Sequence, residues 1–172
     1  MPFILETLTN PTKDALTQTL NQLELSDHKD SPCYDDGKSE EIEKSLLANI
    51  INHAVEKKSR LHILYDERDA NSTPCALIAL NFELVGSFSA LCIDFIFISK
   101  SYRGVFFEEI DSKISFYLLN FALQEAIGMN RVSQLDAVIL TPINECVKEV
   151  YTEFGFEEFD DGWMYLLIDD VL

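Results

Sequence analysis

The sequence is poor in positive charge, glycine and proline, and has no long apolar run. Its 13 basic residues stand against 30 acidic ones, a formal charge of −17. A field of that sign repels phosphate backbones and attracts cations, so nucleic acid is expected to be excluded as a partner, while an amine, polyamine or basic peptide is electrostatically acceptable. Only 6 glycines and 5 prolines occur in 172 residues, 47% of which are hydrophobic. That balance excludes collagen-like, low-complexity and disordered classes. No stretch approaches the ~18 charge-free apolar residues of a membrane span. Met1-Pro2-Phe3-Ile4-Leu5-Glu6 lacks a basic region followed by an apolar one. A soluble, cytoplasmic protein with no membrane partner is expected. Cys33, Cys75, Cys92 and Cys146 form no CxxC pair and no zinc-ligand spacing. They read as reduced, mostly buried thiols, and no metal is expected.

The length suits a single domain over residues 1–172. Ala15, Leu16, Leu20 and Leu23 recur at helical spacing after Asn10-Pro11, and the Asp-, Ser- and Lys-bearing stretch Ser26–Ser39 reads as a loop. Ile42, Leu46, Leu47, Ile50, Ile51, Ala54 and Val55 form the apolar stripe of a second helix behind an acidic first turn. Leu61–Tyr65 and Cys75–Phe82, separated by the turn-rich Asp66–Pro74, predict a hairpin. Ala90–Ser99 is apolar except for Asp94 and belongs in the middle of a sheet. Apolar spacings of three and four predict a long helix over Phe106–Ile127, stopped by Gly128. A strand at Leu135–Leu140, a helix at Glu145–Phe154 and a strand at Trp163–Ile168 complete the chain. This order predicts an α+β fold, a central, mostly antiparallel twisted sheet flanked by helices.

One segment carries a more specific signal. Asn144-Glu-Cys-Val147-Lys-Glu-Val150-Tyr151-Thr-Glu-Phe-Gly155-Phe156 resembles the N-x-x-A-x-x-hydrophobic-Y-x-x-x-G-F signature of the Gcn5-related N-acetyltransferases (GNAT superfamily), with Val147 in place of alanine. The resemblance implies the GNAT acyl-CoA N-acyltransferase fold, acetyl-CoA as cosubstrate, and transfer of its acetyl group to a primary amine by direct attack. It places Asn144 against the pantetheine arm and makes Tyr151 the general acid, a phenol whose acidity is close to that of the departing thiol. Seven residues apart, the two fall on one helix face.

The stretch Ile93–Gly104 is similar to the same family's central strand and its entry into the pyrophosphate loop. By that register Asp94 becomes the candidate base, the backbone at Ile96, Phe97 and Ile98 lies along the thioester, and Arg103, Gly104 and Val105 begin the phosphate loop. The loop departs from the family pattern: only Gly104 survives, followed by Phe106, Phe107, Glu108 and Glu109. Either the helix starts later, after an insertion of roughly seven residues with Asp111–Ser115 supplying the turn, or the anion pocket is lost. In the second case the domain becomes a binding or regulatory module with Phe106 and Phe107 filling the coenzyme cleft. The first half, from Cys33-Tyr-Asp-Asp-Gly37-Lys38 through Leu61–Glu67, is similar to toxin-type acetyltransferases that modify aminoacyl-tRNA, a subclass the negative charge opposes. The resemblance also allows a homodimer, paired at the apolar end of strand Trp163–Ile168. His28, His53 and His62 are expected to be exposed or capping, and no triad or metal site for a hydrolase is assembled from them.

Overall fold

A computed structural model of the chain describes residues 2–26 and 38–172. Of the expected loop Ser26–Ser39, residues 27–37, with His28, Cys33 and Gly37, lie outside them.

The N-terminal residues form a strand that periodicity does not suggest. Phe3–Thr7 (β1) pairs antiparallel with Arg60–Asp66 (β2), with Phe3 opposite Asp66 and Thr7 opposite His62. Two helices follow β1: Lys13–Leu20 (α1) and Ser39–Val55 (α2). The Thr12 side chain caps α1 by accepting from the Ala15 N–H at 3.3 Å. The helices bury Leu16 and Leu20, and Leu47, Ile50 and Ala54, against Leu61, Ile63, Leu77, Ala79 and Phe97 on one face of the sheet.

Thr73–Val85 (β3) and Phe88–Ile98 (β4) make a long antiparallel ribbon, and β3 also pairs with β2 as the hairpin reading requires. After β4 the chain forms a small two-stranded sheet, Phe106–Phe107 (β5) with Ser112–Lys113 (β6), and only then the helix Ile114–Asn130 (α3). The expected helix start at Phe106 is therefore corrected by eight residues, and Gly128 lies inside the helix. Bulky residues at helical spacing continue through 106–113, so periodicity alone does not separate hairpin from helix. Leu118, Leu119, Ala122 and Ala126 of α3 pack on the other face of the sheet. Complete burial of each leucine contributes about 2–3 kcal/mol.

Ala137–Leu140 (β7) runs parallel to β4, and the chain continues through Glu145–Phe154 (α4), Glu157–Glu158 (β8) and Met164–Leu167 (β9). The sheet order is β1-β2-β3-β4-β7-β9-β8, antiparallel throughout except for β4–β7. The α+β expectation of helices on both faces of a central, mostly antiparallel sheet matches this arrangement. β8 covers only Met164 and Tyr165 of β9, so the edge at Leu166–Leu167 has no strand beside it among the described residues.

Candidate active-site cleft

The parallel pair β4–β7 holds register for four residues, and its last pair is Ile93 with Leu140. Beyond it Thr141-Pro142 ends β7, since proline cannot donate to a ladder, while β4 runs on to Ile98. From Asp94 to Ile98 the edge of β4 that faced β7 has no strand partner among the described residues. The resulting opening is a cleft of about 320 Å³. Ile96, Phe97 and Ile98 form one wall; Asn144, Val147, Val150 and Tyr151 form the other; Arg103, Gly104, Lys113 and Ser115 lie at its end.

A smaller cavity of about 50 Å³, lined by Ile93, Asp94, Ile96, Leu140, Thr141 and Tyr151 among others, sits where the strands part. The sequence candidates Asp94 and Tyr151 thus line one cavity. Asp94 is the extra residue of a β-bulge: Ile93 pairs with Leu80 and Phe95 with Ala79, and Asp94 is skipped. A bulge re-aims its side chain, and the Asp94 carboxylate accepts a short hydrogen bond from the Ser59 hydroxyl. The Tyr151 ring is half-buried, its centroid 6.2 Å from that of Phe156. Asn144 caps α4, its Oδ1 accepting from the Val147 N–H at 3.0 Å. Gly155, at φ +128°, ends that helix.

Arg103 does not reach freely into the cleft. Its Nε–H donates to the Ile98 carbonyl at 2.7 Å, and its guanidinium meets the Ser26 hydroxyl and lies 2.5 Å from Glu43. The Glu43 side chain has no exposure and also accepts from the Ser26 N–H at 3.0 Å. Gly104, at φ +71°, supplies the left-handed turn out of this clamp. Val105 stands exposed outside the cleft wall. Neither Phe106 nor Phe107 fills the cleft: Phe106 is exposed, and Phe107 is buried against Phe3, 5.2 Å between centroids. Glu109 lies 3.8 Å from Arg68, and neither it nor Glu108 lines the cleft. Lys113 and Ser115, at the start of the seventeen-residue α3, do line it. A helix N-terminus beside a lysine is a favourable place for an anion. Both belong to the Asp111–Ser115 stretch that a later-starting helix would use as its turn, and the apolar run from Phe106 is what obscures where that helix begins.

The histidine expectation is corrected at His62, which is buried, shares a 2.9 Å hydrogen bond with the Thr7 hydroxyl and meets Phe121 edge-on at 4.8 Å. Burial lowers its pKa to about 4. Cys75 and Cys92 are free and buried, and burial raises both thiols, Cys75 to about 12. Cys146 is disulfide-bonded, so the reading of reduced thiols does not extend to it. Among the described residues no group of histidine, cysteine and carboxylate side chains fits a metal ion, and no helix is long and apolar enough to cross a membrane.

The helices, the bulged central strand and the splayed parallel pair define the fold of the Gcn5-related N-acetyltransferases. No family model matches the sequence, and no curated protein does. Solved structures do match in three dimensions. The AtaTR complex bound with acetyl-CoA is similar at a TM-score of 0.66 and 11% identity, over 99% of this chain and 96% of that one. AtaT complexed with acetyl-methionyl-tRNAfMet is similar at 0.62 and 12%, over 98% and 96%. The KacTA–DNA complex is similar at 0.60 and 13%, over 98% and 95%. These neighbours overturn the exclusion of nucleic acid drawn from net charge, because proteins of this fold are solved in complex with both DNA and tRNA.

Proposed function

We propose that this protein is an acetyl-CoA-dependent N-acetyltransferase. The observation that carries the reading is the meeting of Asp94 and Tyr151 at one small cavity where β4 and β7 part. Asp94 takes the proton of the attacking ammonium, so that the free amine reaches the thioester carbon. The β4 edge without a strand partner among the described residues offers the Ile98 backbone N–H to the developing oxyanion, while the Phe97 N–H faces β3. Tyr151 gives its proton to the leaving thiolate. Lys113, Ser115 and the first turn of α3 take the pyrophosphate that the family loop would hold, and Arg103 keeps Gly104 in place from below. With Oδ1 committed to its cap, Asn144 has its amide N–H groups left for the pantetheine arm.

For the acceptor, the amino group of an aminoacyl-tRNA is favoured over a small cationic amine. The AtaT structure with acetyl-methionyl-tRNA supports it. So does a second pocket of about 270 Å³, lined by Lys57, Lys58 and Arg60 together with Ser59, the hydrogen-bond partner of Asp94. Calorimetric titration with acetyl-CoA, followed by transfer of labelled acetyl to methionyl-tRNA or to spermidine, tests both levels. Micromolar coenzyme binding is expected, unchanged in Tyr151→Phe while turnover falls about 10²-fold or more. Absence of binding at millimolar acetyl-CoA would sink the reading.

A further inference from the structure

The bulge turns the Asp94 carboxylate toward the side of the sheet that α2 covers, and a three-residue chain meets it there. Ser59, 7% exposed, donates its hydroxyl proton to Asp94 Oδ2. On its other side the Ser59 oxygen lies 3.5 Å from Nδ1 of His53. A serine has one proton to give, and here Asp94 receives it. The Ser59 oxygen is then left as an acceptor, and the Nδ1–H tautomer of His53 is the one that can donate to it. The His53 ring is in turn held edge-on to Phe95, 5.0 Å between centroids and 87° between planes.

The backbone brings these groups together through the end of α2. The Lys58 and Ser59 N–H groups both return to the His53 carbonyl, at 2.9 and 3.4 Å, and the Lys57 N–H returns to Ala54. Lys57 sits at φ +59°. This is a helix stop with a left-handed C′ residue, and it folds Ser59 back beside His53 one residue before β2 starts. The hydroxyl thus reaches Asp94 from a rigid turn rather than from a free loop, and it grips one oxygen of the carboxylate.

We propose that Ser59, oriented by His53, is the positioning residue for Asp94: the chain His53–Ser59–Asp94 holds one carboxylate oxygen so that the other faces the acceptor amine. This rests on the reading of Asp94 as the base. A carboxylate oriented by a relayed pair of hydrogen bonds loses less on meeting the ammonium than one that must first stop rotating.

The test uses the full chain, with acetyl transfer to methionyl-tRNA and to spermidine as probes and acetyl-CoA titration alongside. Ser59→Ala is expected to lower kcat about 10-fold or more, with the acetyl-CoA Kd unchanged, and Ser59→Thr, which keeps the hydroxyl, to recover most of that activity. His53→Phe keeps the ring against Phe95 but has no N–H, and is expected to lower kcat about 3-fold to 5-fold. The double variant should then be no worse than Ser59→Ala alone, because a chain broken at Ser59 has nothing left for His53 to orient. Nitrogen-15 spectra should show the Nδ1–H tautomer of His53 whether or not any acceptor is found. Additive effects of the two substitutions, a Ser59→Thr enzyme as impaired as Ser59→Ala, or an Nε2–H tautomer would each overturn the proposal while leaving the acetyltransferase reading intact. A wild-type protein that binds no acetyl-CoA and acetylates neither probe would overturn both.

Discussion

His62 shows what a single buried ring does to the whole molecule. It is 5% exposed, and burial holds its pKa near 4, against 6.5 for a free histidine. The unfolded chain therefore binds a proton that the folded one refuses, so stability rises with pH between these two values and is lost on acidification through that window. The slope contributed by one proton is at most about 1.4 kcal/mol per pH unit. Thermal midpoints measured from pH 7.5 to 4.5 should fall more steeply in wild type than in His62→Leu. A slope unchanged by the substitution would show that His62 protonates while folded. Asp66 works in a separate, lower window: hydrogen bonds from Arg68 foremost hold its carboxyl near 2, and the stability it adds is lost only as pH falls below the ordinary aspartate value. Some of these roles are readable from sequence. Glu43 falls at spacings of four, three and four with Leu47, Ile50 and Ala54, and a carboxylate on an apolar stripe asks for a cationic partner, here the half-buried Arg103. Ser59 carries no such signal, because it stands in a polar turn between α2 and β2 with no apolar stripe around it.

At the scale of elements, the end of α2 matters most for the site, since its turn carries Ser59 to Asp94. An L-residue in the left-handed C′ position is strained, and Lys57 occupies it at φ +59°. Replacing Lys57 by glycine should stabilise the fold by about 0.5–1 kcal/mol, read as a higher denaturation midpoint at unchanged slope. A loss of stability would mean that the lysine side chain contributes more than its backbone strain costs. α2, the β2–β3 hairpin, the central strand β4 and α4 are legible because each has an unbroken period and a marked end. β1 is not, since five residues with only Phe3 fully buried carry too little pattern. The β5–β6 insert is legible only as the roughly seven extra residues of the later-starting helix, because its own aromatic residues continue the helical period. Phe107 packs on Phe3 and, with Tyr102 and Arg68, fills the space beside β1, with the Arg68 guanidinium 4.8 Å above its ring. An apolar residue at helical spacing reports burial, not the element that buries it.

Across the whole molecule, net charge misleads where local charge does not. Of 13 basic residues, Lys57, Lys58 and Arg60 gather at one pocket beside the candidate base, although the molecule totals −17. Charges beyond roughly one Debye length, about 8 Å at physiological salt, are screened from a bound phosphate. A polyanion that touches the chain only at this pocket therefore meets the local cations more strongly than the distant carboxylates. At low salt the screening length grows and the total charge counts again, so this chain should bind methionyl-tRNA less steeply with falling salt than a basic protein that neutralises the same phosphates. Lys58 is already paired with Glu56 at 2.6 Å, and Arg60 donates to the Leu8 carbonyl at 3.2 Å, so a phosphate must compete for both. We expect Lys57→Ala combined with Arg60→Ala to weaken binding of methionyl-tRNA and to flatten the plot of log K against log salt by about 0.7 for each phosphate no longer neutralised. Acetyl-CoA affinity should not change, because neither residue lines its cleft. An unchanged salt slope would move the acceptor to another face of the molecule. A protein that acetylates spermidine faster as salt is lowered would instead have its long-range negative field drawing in a cationic substrate.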